Sequence, residues 1–207
     1  MSTDTEGKRA KFEGFRAEVR DKIDALVAEF ANGELSREQF HAIYEHYNSQ
    51  LMLIQEKLDA NADDSPVQNA GQTIGIRQAH MGKAVGLMIY HNKSGQFVET
   101  LGQFDVPPQT IAPILNDFSL LMETRKLIDR RVVKIAERAW LLFAAGRYTT
   151  VVTLFHNEPS QQQSREIERL HHDFELANST ALTAGHIDST RLAYPLLVFV
   201  QQKLKNA

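Results

Sequence analysis

His156, His171, His172, Asp173 and Glu175 lie close together in the sequence, and these side-chain types offer nitrogen and oxygen ligands to a divalent metal. Their spacing limits that chemistry. Neighbouring helix residues point about 100 degrees apart, so only one of His171 and His172 can face a given site. Neither falls in an H-E-x-x-H pattern, whose four-residue step puts two imidazoles on one helix face. A surface or packing role is the expectation. The competing reading, a histidine-based metal enzyme, requires stoichiometric zinc, manganese or iron in the purified protein. His41 and His46 are a poor pair for a shared site and read as surface residues of a helix.

A second set is cationic. Arg125, Lys126, Arg130, Arg131, Lys134 and Arg138 crowd the place where a helix is expected to pass into a strand. A solvated face explains such a run, and a docking surface for an acidic partner or an anionic membrane is the functional alternative. Aromatic residues do not alternate with these charges, as a stacking platform for single-stranded nucleic acid requires. Arg147 stands in Gly146-Arg147-Tyr148, which reads as a hairpin tip where an arginine can anchor a partner or reach a phosphate. Arg125, Lys126, Arg130, Arg131 and Arg147 are therefore the candidate partner-docking residues. No residue is assigned to catalysis, to a cofactor or to a metal.

Composition closes other routes. The 207 residues include no cysteine, which removes disulfides, thiolate zinc sites, iron–sulfur clusters and cysteine nucleophiles. A formal net charge of -3 argues against the basic surface that sequence-independent nucleic-acid binding needs. No G-x-S-x-G elbow occurs. Gly71, Gly75 and Gly82-Lys83 are too widely spaced for a phosphate loop, with Ala84 where Ser or Thr would hold magnesium. The opening MSTDTEGKRAKFEG lacks the apolar core of a secretory signal, and no stretch approaches the roughly 20 apolar residues of a membrane span. A cytoplasmic protein is expected.

The elements that would position these residues follow from hydrophobic period. Phe12, Phe15, Val19, Ile23, Leu26 and Phe30 form one helical stripe, and Phe40, Ile43, Tyr47, Leu51, Ile54 and Leu58 repeat it. Between them Asn32-Gly33 suits a left-handed helix end, Ser36 and Gln39 form a capping box, and Leu35 with Phe40 can staple it. The short turn predicts an antiparallel hairpin over residues 1–60. Such a hairpin needs further apolar cover, and self-association is the favoured source. Residues 61–83 read as a linker, with Gln68 to Met81 too rich in glycine for a long helix.

Residues 84–184 then change period repeatedly. AVGLMIYH from Ala84 to His91 reads as an interior strand, and Asn92 to Gly95 turns it into an antiparallel partner over 96–102. Pro107 and Pro108 open a helix with Ile111, Ile114, Leu115, Phe118, Leu121 and Met122 inward, running through Ile128. VVKIAERAWLLFAAGRYTTVVTLF, from Val132 to Phe155, gives three strands broken near Glu137-Arg138 and Gly146-Arg147, with Trp140 in the core. Pro159 and Ser160 begin a helix that turns Ile167, Leu170, Phe174 and Ala177 inward. Leu192, Leu196, Phe199, Val200 and Leu204 predict a final helix within 185–207, starting at Pro195. The fold class is α+β: a five-stranded antiparallel sheet, β-β-α-β-β-β-α, preceded by a helical hairpin and followed by a C-terminal helix.

The turn in HNKSGQF, the proline start of the middle helix and the run AWLLFAAGRYTTVVTLF resemble the roadblock and longin superfamily, which is profilin-like in its sheet. The resemblance covers roughly half of the chain and rests on element order. It implies a non-catalytic adaptor that binds a protein partner, often a Ras-like small GTPase, and that forms a homodimer. No family site is carried onto a numbered residue. The alternative is a small-ligand sensor of PAS-like type, which requires a cavity between sheet and helix.

Overall fold

The hydrophobic stripes of the first sixty residues fold as two long helices joined by a tight turn. In the computed structural model, which describes residues 2–60, 70–123, 130–184 and 187–199, α1 spans Ser2–Ala31 and α2 spans Arg37–Ala60. α1 starts well before the apolar stripe begins. Gly33 has φ 77 at its end, the left-handed conformation that lets the chain leave a helix without a Cβ clash. The capping box then opens α2: Ser36 N donates to Gln39 Oε1 at 3.1 Å and Gln39 N to Ser36 Oγ at 3.2 Å. Phe12, Val19, Leu26, Leu35, Ile43, Tyr47 and Ile54 are buried together.

A third helix corrects the linker reading. α3 occupies Ala70–Ala79, because Ile76 joins the hairpin core and tertiary contacts offset the low helix propensity of its glycines. Gln39 Nε2 donates to the Arg77 carbonyl at 3.1 Å, and Arg77 pairs with Glu29. These helices form one compact unit, Met1–Met81, and the remainder forms a second, Gly82–Ala207.

In the second unit the strands are β1 Lys83–His91, β2 Phe97–Gly102, β3 Arg130–Ala136, β4 Ala139–Ala145 and β5 Thr149–His156. They form one antiparallel sheet in the order β2-β1-β5-β4-β3. The first strand therefore lies between the second and the fifth. β5 is buried from Thr149 through Phe155, as expected of a strand covered on both faces.

Side-chain alternation divides this core into two layers. Ile111, Leu141, Phe143, Val152 and Leu154 pack on the face covered by α4, Pro108–Glu123. Leu87, Trp140, Leu142, Val151 and Phe155 pack on the other face with Ile167, Leu170 and Phe174 of α5, Gln161–Ala177. A short α6, Ser179–Thr183, follows α5, and Leu192, Leu196 and Phe199 close the same layer. The chain turns helical again from Pro195, through the 3.2 Å bonds from Val198 N and Phe199 N to the carbonyls three residues before. The expected α+β architecture is present. The sequence positions 124–129, which include Arg125, Lys126 and Ile128, and the side chains of Phe118, Leu121 and Met122 lie outside the described residues.

Gly82, Gly86 and Gly146 of this unit are each set by close approach. Gly86 pairs with Gly102 across β1 and β2, and a Cβ on Gly86 would stand 2.2 Å from the Gln103 carbonyl oxygen. Gly146 belongs to the site described next.

Candidate functional site

α5 begins with a second capping box. Ser160 N donates to Gln163 Oε1 at 2.9 Å and Gln163 N to Ser160 Oγ at 3.2 Å. The same Gln163 donates its amide to the Gly82 carbonyl at 2.7 Å, which ties the start of α5 to the residue that leads into β1. From this fixed origin the helix periodicity carries His171 and Glu175, one turn apart, onto the inner face beside Phe174. His172 is exposed. Ala177, expected inward, is exposed, because the buried stripe drifts toward Glu175 and Asn178 instead.

Glu175 holds the β4–β5 tip. Its Oε1 accepts from Tyr148 N at 2.8 Å, Thr149 N at 2.7 Å and Thr149 Oγ1 at 2.9 Å, and its Oε2 accepts from Arg147 N at 2.8 Å. Three successive amides thus converge on one carboxylate, an arrangement that satisfies a buried anion without a cation. A Cβ on Gly146 would come within 2.4 Å of the same carboxylate, so only glycine leaves room for it. The Thr149 hydroxyl donates its hydrogen bond to Glu175, so its oxygen accepts from His171 Nε2–H at 2.8 Å. That sets the imidazole in its neutral Nε2–H form.

Burial pulls the His171 pKa down from 6.5 to about 4, a fall that Glu175 opposes and His172 assists. A histidine lowered in the folded state leaves the unfolded chain binding the proton more readily. Stability is expected to be full above pH 6.5 and to fall as the pH drops toward 4, by up to about 3 kcal/mol. Urea midpoints measured across that window would show the slope. His171→Gln is expected to flatten it.

The sequence-predicted cations are dispersed. Arg130 pairs with Glu168 at 3.4 Å and Arg131 with Asp117 at 3.8 Å. Lys134 lies over the Trp140 ring, 5.2 Å from its centre. Arg138 Nε donates to Asn157 Oδ1 at 3.3 Å beyond the far end of β5. Arg147 is exposed at the tip, its guanidinium 5.3 Å from the centre of the Tyr148 ring. Among the described residues it meets no carboxylate with its side chain. The run in sequence becomes two groups in space because β3 carries it from one end of the sheet to the other.

The histidines are separated as well. His156 pairs with Lys83 and Ala139, the whole length of β5, about 23 Å, from Thr149 and His171. The set His156, His171 and His172 is therefore not brought together. Among the described residues, no group of three or more His, Asp or Glu side chains is placed to hold a metal ion. His41 is exposed on α2, and the His46 ring lies 3.2 Å from Gln50 Nε2.

Two grooves open at this end of the unit. One of about 530 Å³ runs between the β4–β5 tip and α5, with Arg147, Tyr148, Glu168, His172 and Leu176 on its walls and His171 and Glu175 at its floor. The other, of about 300 Å³, lies between the β1–β2 turn and the start of α4, lined by Tyr90, Asn92, Ile111 and Leu115 among others. The sequence offers Glu175 only as a candidate metal ligand; its role at the tip is not legible there, because an acidic residue near a helix end normally points to solvent. Its signal was the four-residue step from His171 along the edge of the Ile167, Leu170 and Phe174 stripe.

The architecture defines an α+β unit with a five-stranded antiparallel sheet between helical layers, and the chain also carries a separate helical unit. No family model matches the chain, and no curated protein matches it. Among solved structures it is similar to one described as MglC from Myxococcus xanthus, at 14% sequence identity and a TM-score of 0.30. That likeness covers 42% of this chain and 79% of the other. Among the described residues, no helix is long and apolar enough to cross a membrane.

Proposed function

We propose that this chain is a non-catalytic adaptor or regulator that acts through protein–protein contacts, as a cytoplasmic homodimer, with a Ras-like small GTPase as the expected partner. One observation carries the reading: the buried acid and imidazole of the site, Glu175 and His171, are committed to holding the β4–β5 tip. That use of a carboxylate fixes a surface loop; it offers no base to a substrate. Buried side chains also pack on both faces of the sheet, and the groove at the start of α4 is open to the surface, which favours an adaptor over a sensor that must enclose a ligand. The element order supports the resemblance to roadblock and longin domains, and that resemblance is what suggests a GTPase as the partner.

Affinity capture from the source cytosol, with and without a nonhydrolysable GTP analogue, tests this directly. A small GTPase is expected among the retained proteins, with recovery that depends on the analogue. Recovery of none in either condition would remove the regulator role. Light scattering on the purified chain is expected to give twice the monomer mass.

A further inference from the structure

Arg147 differs from Arg130 and Arg131, the two β3 arginines at its end of the sheet. Arg130 and Arg131 each face a carboxylate, whereas the Arg147 guanidinium rests on an aromatic ring. Its backbone is held from below, since Arg147 N, Tyr148 N and Thr149 N all donate to Glu175. An arginine with a fixed backbone and a stacked head loses little further freedom when it binds an anion. Across the groove, Leu176 is 63% exposed on α5, next in sequence to the carboxylate that anchors the tip. A fixed guanidinium thus faces an exposed aliphatic side chain over a trough of about 530 Å³.

We infer that this groove is the partner-docking site, and that it takes a protein segment carrying an Asp or Glu carboxylate beside a bulky aliphatic or aromatic side chain. The carboxylate meets Arg147 and the apolar group lies against Leu176 and Tyr148. The inference rests on the adaptor reading and names the chemistry of its partner. Charge balance selects a carboxylate over a phosphate. Glu168 is offset by Arg130, and Glu175 by the three tip amides, so Arg147 is left with a single positive charge to offer. A phosphate at neutral pH carries close to two negative charges and draws on several donors, more than the single charge of Arg147 supplies. A basic segment would be met by Arg147 itself.

Selection from a displayed library of random peptides tests the inference without knowledge of the natural partner. The wild-type chain is expected to enrich peptides with Asp or Glu within two positions of Leu, Ile or Phe. Arg147→Glu is expected to weaken those peptides about tenfold or more and to favour variants in which Lys replaces the acid. Leu176→Asp should weaken them with no such switch. Arg165→Glu, on the exposed side of α5, should leave them unchanged. Folding of each variant is checked by its thermal midpoint, and both tested side chains are exposed. Enrichment of basic peptides, of none, or of acidic peptides that bind Arg147→Glu equally well would overturn the inference. Because the library contains no GTPase, such a result would leave the adaptor reading to be judged by affinity capture. A captured partner that still binds Arg147→Glu would move the docking site elsewhere and leave the adaptor role in place.

Discussion

Gly86→Ala is expected to cost about 3 kcal/mol or more of stability, a large loss for one added methyl group. The new Cβ would lie 2.2 Å from the Gln103 carbonyl oxygen, 2.6 Å from its carbon and 2.8 Å from its nitrogen. These are backbone atoms and cannot rotate away. Gln103 N also donates to the Val85 carbonyl at 3.1 Å, so moving the obstructing segment breaks the bond that folds the end of β2 over β1. Trp140, the only tryptophan, lies in the sheet of the same unit, and its fluorescence in urea reports the loss. A change below about 1 kcal/mol for Gly86→Ala would mean that the crossing of strand and segment is looser than described.

Glu175→Ala is expected to be comparably severe, about 3 to 5 kcal/mol. Removing the carboxylate strands three amides and one hydroxyl, and Thr149 is fully buried. Water can reach only part of the gap. Glu175→Gln keeps the shape but turns an amide nitrogen toward a backbone donor, so about 1 to 3 kcal/mol is expected. Amide proton shifts of Arg147, Tyr148 and Thr149 provide the local readout, and all three should move in both variants. Equal stability of wild type and Glu175→Ala would show that the tip is held by its own turn.

Much of this fold could be read from the chain because the signals were local. Ser36 with Gln39 and Ser160 with its preceding proline mark helix starts whose bonds lie within four residues. The breaks at Glu137-Arg138 and Gly146-Arg147 gave three strands for the same reason. Strand order could not be read that way, since β1 pairs with β5 through apolar side chains that would fit several neighbours. α3 escaped notice because its glycines lower intrinsic propensity while Ile76 and Arg77 gain their stabilisation from distant residues. The site was half legible. The hairpin tip, and the fact that His171 and His172 cannot share one face, followed from spacing, but the partner of the tip is a helix residue 28 positions from Arg147. Arg130 and Arg131 looked like free cations because Glu168 and Asp117 are remote in sequence.

The pairing of β1 with β5 at the centre of the sheet has a consequence for how the chain reaches its native state. Hairpins β1–β2 and β3–β4–β5 can zip up from neighbouring residues, whereas the seam between them must wait for the intervening chain to be searched and closed. On the ribosome, β1 emerges long before its partner. Until that seam forms, two of the most water-averse strands in the molecule have open edges, and this is the interval in which nascent copies are most prone to stick to one another.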